Sequence, residues 1–368
     1  MAKSRLHQLA DYGQSVWIDF LSRDMLRSGK LERMMREDAV VGVTSNPTIF
    51  QKAISAGGTY DDQLREVLRE ERDPKEIFIR LASKDVGDAL DLLRLVWDEG
   101  GGRDGYVSIE VDPNLAYDTE ATIAEAQRLH ELIDRPNLFV KIPATKEGLP
   151  AIEGMISRGR SINVTLIFGL GRYADVAEAY VRGLERLVEG GGDPTTVASV
   201  ASFFVSRVDT EADRRLDEIG GHDGLKGKLA VANAKLAYQR YKEIFAGERW
   251  EALAAKGATP QRCLWASTST KNPEYRDVLY VEELIGLDTV NTMPEETIQA
   301  FQDHGAVAET LEQGLEEAQA TFDRLAEAGV DYEDVTRTLE REGVEKFADS
   351  FSELSEGIRA KSGELVTA

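Results

Sequence analysis

The 368-residue chain holds a single cysteine, Cys263, so no internal disulfide can form. It stands in the apolar run RCLWAS, where burial in a strand is the expected fate. Histidine is scarce as well. His7, His130, His222 and His304 lie far apart, and none belongs to a metal-ligand motif, so no metal is expected. No apolar run approaches the about 20 residues needed to span a bilayer, which excludes a membrane helix. The opening MAKSRLHQLADY has no apolar core of the kind a signal peptide carries, so a cytoplasmic location is expected. Cations are in deficit. Lysine and arginine number 44 against 66 carboxylates, giving a formal net charge of -22. Such a surface repels nucleic acid and anionic membranes, and neither is an expected partner. Any anionic ligand must be held by a local cluster of cations against that field.

What is present is ordinary in amount and regular in order. Hydrophobic residues at 42% and charged residues at 30% are the balance of a globular chain. Eight short apolar runs alternate with longer amphipathic stretches: VWIDF (16–20), VVGVTSN (40–46), YVSIEVD (106–112), LFVKIP (138–143), INVTLIF (162–168), VASVASFF (197–204), CLWAST (263–268) and DTVNTM (288–293). That alternation predicts parallel strands joined by right-handed crossovers. Eight repeats point to a closed (β/α)8 TIM barrel rather than an open sheet. Asp73-Pro74 predicts the start of a long helix reaching about Trp97. Asn272-Pro273 and Met293-Pro294 predict two later starts. EGGGRDG (99–105) and EGGGD (189–193) are glycine-rich helix stops. GLGR (169–172) reads as the beginning of a helix, because no glycine-lysine-serine/threonine follows to make a phosphate loop. Residues 205–259 hold more than one helix, so an insertion follows the sixth strand. Residues 294–362 read as helical. A C-terminal helical addition of about 306–362 is expected to pack on a barrel core of about 10–305, with no linker dividing residues 1–368 into two domains.

Side chains alternate across a strand. In YVSIEVD, Val107, Ile109 and Val111 oppose Ser108, Glu110 and Asp112. In INVTLIF, Asn163 and Thr165 oppose Ile162, Val164 and Leu166. Asp19 shares a face with Trp17, Thr44 with Asn46, and Lys141 with Phe139. Parallel strands covered by helices are normally apolar on both faces. A barrel explains the polar face, because its interior residues converge at the mouth where the βα loops meet. For one residue alone, a satisfied polar group at a strand end explains as much; for the five strands together it explains much less. A lysine in a mostly apolar pocket is disfavoured in its charged form, and the free amine can attack a carbonyl to give a Schiff base. Asp19 and Glu110, on different strands, can divide the proton transfers. Asn46, Asn163 and Thr165 can orient hydroxyls or a water. The set reads as a sugar site that needs no cofactor. The alternative is a structural Lys141, ion-paired to Glu110 or Asp19 to hold the barrel.

WIDF, GVTSNPTIF, SIEVDP, VKIPAT, INVTLIF and SFFVSRVD, in this order over roughly residues 10–300, resemble successive strand motifs of the transaldolase family. The resemblance implies a barrel enzyme of the pentose phosphate pathway. A dihydroxyacetone unit would move from sedoheptulose 7-phosphate or fructose 6-phosphate to an aldose phosphate, glyceraldehyde 3-phosphate or erythrose 4-phosphate. By position, Lys141 matches the Schiff-base lysine. Asp19 matches the base for bond cleavage, and Glu110 the acid/base acting through a water held with Thr165. Asn46 and Asn163 match residues that hold substrate hydroxyls, with Thr44 beside them. Ser202, Phe204 and Arg207 match the sixth-strand positions, serine and arginine facing the phosphate. One departure stands on the seventh strand. Many members carry serine-phenylalanine-arginine-asparagine there, and this chain has ASTSTKNPEY, leaving Ser267 and Lys271 as the nearest candidates. Fructose 6-phosphate aldolases of the same scaffold usually carry glutamine at the place of Glu110 and tyrosine at that of Phe204; this chain has the transaldolase choice at both. A noncatalytic sugar-phosphate-binding barrel is the rival from another class. The expected partners are sugar phosphates, and the expected state a monomer or homodimer.

Overall fold

The computed structural model describes residues 3–55 and 57–367. Eight strands, β1 (Gln14–Ile18), β2 (Val40–Val43), β3 (Val107–Glu110), β4 (Leu138–Pro143), β5 (Ile162–Ile167), β6 (Ser199–Phe204), β7 (Arg262–Ala266) and β8 (Thr289–Met293), pair in chain order and close into a barrel. Every neighbouring pair is parallel. The seam between β1 and β8 runs unbroken from Gln14 opposite Thr289 to Ile18 opposite Met293. All eight apolar runs are therefore strands of the (β/α)8 TIM barrel. They are shorter than their sequence patterns, so Asp19, Thr44 and Asn46 stand just beyond the strand ends.

The outward faces are apolar because helices cover them; Val140, Ile142 and Val164 are fully buried there. The lower lumen is filled by aromatic rings. Tyr106 stacks on Phe139 at 4.1 Å between centroids, and Trp17 lies 6.1 Å from Phe139. Trp17 fits only because residue 42 is glycine: a Cβ there would stand 2.4 Å from its ring. A polar plug closes that end. Asp104 accepts from Trp17 Nε1, Ser15 Oγ and the Arg262 guanidinium.

The helix Pro74–Glu99 begins where expected, with Asp73 Oδ1 accepting from the Lys75 amide at 3.1 Å. Leu170–Glu189 starts after Gly169, and Glu295–His304 starts after Pro294. Asn272-Pro273 starts no helix. The Asn272 side chain accepts from the Glu274 amide at 3.0 Å and closes a local turn, and the next helix is the short Leu279–Glu282. The insertion after β6 consists of Ser206–Ile219, Leu229–Ile244 and Gly247–Ala254. Beyond β8, residues 305–314 are not helical, which interrupts the expected continuous run; Leu315–Glu327 and the 36-residue Tyr332–Thr367 follow.

The C-terminal helix Tyr332–Thr367 lies across the mouth. Gly343 sits over the end of β5, where a Cβ would come to 3.1 Å from Leu166. Phe351 packs edge-on against Phe78 at 5.7 Å. Glu340 pairs with Arg172 at 3.0 Å, and the Thr48 hydroxyl donates to Ser350 at 2.8 Å. Cys263 is fully buried in β7, where its thiol donates to the Tyr173 hydroxyl. Among the described residues no helix is long and apolar enough to cross a membrane.

Candidate active site

A cavity of about 310 Å³ opens at the C-terminal ends of the strands. Asp19, Thr44, Asn46, Lys141, Thr165, Ser202, Phe204, Arg207, Ser267 and Lys271 all line it. Of the residues expected from sequence, only Glu110 and Asn163 do not. Both stand level with Lys141 in the sheet register, Glu110 on β3 and Asn163 on β5.

Lys141 comes up from the middle of β4 and is 5% exposed. Its Nζ lies 3.3 Å from Glu110 Oε2 and donates to the Ser45 carbonyl at 3.2 Å. The surroundings are thus polar, which corrects the expected mostly apolar pocket. The physical reason is β3, whose polar face is directed at the same layer. Glu110 Oε2 receives no well-aligned hydrogen bond, so its contact with Lys141 is ionic. The Thr165 hydroxyl is also buried and meets no hydrogen-bond partner among the described residues. Glu110 Oε2 and Thr165 Oγ1 thus both keep hydrogen-bonding capacity, and water is the ordinary partner of such buried oxygen atoms. Thr165 owes its setting to a register shift of β5 against β6 between Val164 and Ile167, with Leu166 in the left-handed region at φ +61°.

Asp19 accepts a 2.7 Å hydrogen bond from Thr44 Oγ1, whose oxygen also lies 2.7 Å from Thr292 Oγ1. Burial pushes the Asp19 carboxyl above its ordinary range; the Thr44 hydrogen bond and the charges of Lys141, Arg207 and Lys271 oppose that rise. Burial raises Glu110 too, against the pull of Lys141. Two carboxyls whose pKa burial raises, one of them in contact with a lysine, are suited to passing protons.

Asn163 has both amide ends occupied, donating to Ser108 Oγ at 3.0 Å and accepting from Ser202 Oγ at 2.7 Å. It fixes the floor rather than facing the cavity. Asn46 Oδ1 accepts from the Ile49 amide at 3.0 Å, which leaves its amino group toward the cavity it lines. Ser267, at φ +56° just past β7, holds its hydroxyl 2.9 Å from that of Ser206.

Arg207, at the start of the first insertion helix, lies over the Phe204 ring at 5.1 Å. Burial lowers its hold on its proton, and Asp19 and Glu110 counter this. Lys271 reaches the same chamber from the turn after β7, where its Nζ donates to Ser269 Oγ at 2.7 Å. Burial, then the like charge of Arg207, lowers its pKa. Other lining residues carried no local signal in the sequence: Lys52 of the helix Pro47–Ser55, Thr292 of β8, Glu296, and Lys346 and Phe347 of the C-terminal helix. Asp112, which alternation placed beside Glu110, instead pairs with Lys75 at 2.9 Å outside the lumen.

A second cavity, about 170 Å³, lies at the opposite end of the barrel beside Tyr106, Phe139 and Arg262. Its arginines are already paired, Arg262 with Asp104 and Arg103 with Asp288. It holds no nucleophile beside a base, so the mouth is the candidate site.

A family model described as transaldolase/fructose-6-phosphate aldolase matches residues 16–358. A protein named transaldolase from Acidothermus cellulolyticus is 57% identical over 355 residues, covering 96% of this chain and 95% of the relative. Another of that name from Frankia alni is 54% identical over 361 residues, 97% of each chain. A third, from Mycobacterium bovis, is 50% identical over 359 residues, 96% of each.

Proposed function

The chain belongs to the transaldolase/fructose-6-phosphate aldolase family, and from that premise we propose how its own residues carry out transaldolase chemistry. The observation that carries the proposal is Lys141, buried at the floor of the mouth between Glu110 and Asp19. Its amine adds to the ketone carbon of a ketose phosphate. Glu110, through a water shared with the Thr165 hydroxyl, supplies the proton that lets the carbinolamine lose water to an iminium ion. Asp19 takes the proton of the hydroxyl on the far carbon of the bond to be broken, the carbon that becomes the aldehyde. As that bond cleaves, its electron pair moves toward the iminium nitrogen, giving an enamine and releasing an aldose phosphate.

The acceptor aldehyde then enters the same chamber. The enamine carbon attacks it, Asp19 returns its proton to the new alkoxide, and water adds back across the iminium to free Lys141. No proton or electron leaves the balance, so no redox partner is required. Sedoheptulose 7-phosphate and fructose 6-phosphate are the donors, and erythrose 4-phosphate and glyceraldehyde 3-phosphate the acceptors, in the cytoplasm. Asn46, Ser202 and Ser267 hold sugar hydroxyls, and Asn163 keeps Ser202 in place. Arg207 and Lys271 hold the phosphate.

Borohydride trapping with fructose 6-phosphate tests the reading. Reduction fixes the imine as a permanent adduct, and peptide mass spectrometry should place it on Lys141. Lys141→Arg should give no adduct while keeping the fold, because arginine keeps the charge but cannot form this imine. An adduct on another lysine, or an ion-paired Lys141 that never traps, would defeat the assignment.

A further inference from the structure

The cavity has a fourth wall that the strands do not supply. It comes from the C-terminal helix, which contributes Lys346 and Phe347. The Phe347 ring lies 5.9 Å from Lys141 Nζ and 5.9 Å from the Arg207 guanidinium. One side chain thus spans from the reacting amine to the phosphate-side cation. Lys346, its neighbour, is exposed on its outer side and turned to the cavity rim. Glu342 stands one turn earlier on the same helix, yet among the described residues Lys346 forms no ion pair with it or any other carboxylate. Lys52 across the rim has none either. Lys346 is near enough to Lys271 for their charges to repel. Glu296 is the carboxylate that shares this rim, and Asp19 lies deeper.

We propose that Lys346 is a specificity-determining residue, and that with Arg207 and Lys271 it completes a three-sided clamp for the terminal phosphate of the sugar. This rests on the Schiff-base reading above for the position of the sugar, but not for the presence of the anion. Three cations from three separate elements repel one another unless an anion lies between them. Asp19, Glu110 and Glu296 offset part of that repulsion from a distance, but among the described residues no carboxylate forms an ion pair with any of the three, and a dianionic phosphate offsets the remainder. Phe347 lies beside the carbon chain and fixes the span between imine and phosphate.

The test uses the full chain. Lys346→Ala should raise KM for fructose 6-phosphate about tenfold, the loss of one charged hydrogen bond, with kcat little changed. Dihydroxyacetone as donor with unphosphorylated glyceraldehyde as acceptor should be unaffected, and Lys346→Arg should recover most of the loss. Binding of inorganic phosphate, followed by calorimetry, should weaken in Lys346→Ala by a similar factor. That measurement holds whatever the chemistry at Lys141. Unchanged phosphate binding and unchanged KM would overturn the clamp, and so would equal losses with both donors. If the wild-type protein binds phosphate through Lys346 but traps no imine, the Schiff-base reading fails and the clamp stands.

Discussion

Asp19 and Glu110 share a chamber and a direction of pKa shift, but their neighbours differ. Asp19 is held by Thr44 and lines the open cavity, whereas Glu110 does not line it and is in contact with Lys141. Asp19→Asn should therefore block bond cleavage while borohydride still traps the imine. Glu110→Gln should slow imine formation and hydrolysis. Rapid-quench trapping timed against transfer separates the two, and each loss should be about 10²–10⁴-fold. In the proposed role of base, Asp19 must be ionised. Burial raises its pKa, so the acid limb of the kcat profile should fall above the ordinary carboxylate range. Arg207→Ala should raise KM for phosphorylated donors about ten- to a hundredfold and leave transfer from dihydroxyacetone to unphosphorylated glyceraldehyde nearly unaffected. Parallel steady-state assays with the two donors decide this. Asp19 and Glu110 were legible because a polar side chain on a buried strand pattern breaks the expected apolar run, and Arg207 only through the resemblance of SFFVSRVD to the family motif. Lys346 and Phe347 were not. A lysine on an acidic helix reads as solvated surface, and a phenylalanine at helical spacing reads as core.

At the scale of elements, alternation fixed the strands, but their ends belong to side-chain chemistry that no periodicity reports. Asn272 is the example: asparagine before proline suits both a helix cap and a turn, and here the turn prevails. The insertion after β6 was legible only as length. Its first two helices are tied to each other and to the short helix Leu279–Glu282 by Asp209, 1% exposed, which accepts from the Ala230 amide at 2.7 Å and the Tyr280 hydroxyl at 2.8 Å. Burial raises this carboxyl from 3.8 to about 7. The folded protein thus keeps a proton that the unfolded chain releases. Its contribution to stability is full below about pH 4 and is lost as pH rises toward 7, by up to about 1.4 kcal/mol per pH unit. Asn mimics the protonated acid, so Asp209→Asn should flatten that slope and be the more stable form at pH 8. Urea unfolding between pH 5 and 8 measures both slopes.

For the whole molecule, the C-terminal helix belongs to the core as well as to the mouth. Phe347, Phe351, Leu354 and Ile358 are buried, and Phe351 extends an aromatic chain through Phe78 to Phe50. Phe351→Ala should cost about 3–5 kcal/mol in denaturant unfolding, the usual loss for a buried aromatic ring. It should also loosen the wall that carries Lys346. The barrel's closure has a different consequence, one that concerns time. Gln14 and Thr289, joined across the seam by a side-chain hydrogen bond, are 275 positions apart. At a synthesis rate of about 5–20 residues per second, β1 leaves the ribosome roughly a quarter-minute to a minute before β8 exists. Through that interval one edge of β1 has no partner, and Asp19 at its tip has no chamber to face. The growing chain must keep that edge from pairing with a stranger, and the first strand made is among the last to be enclosed.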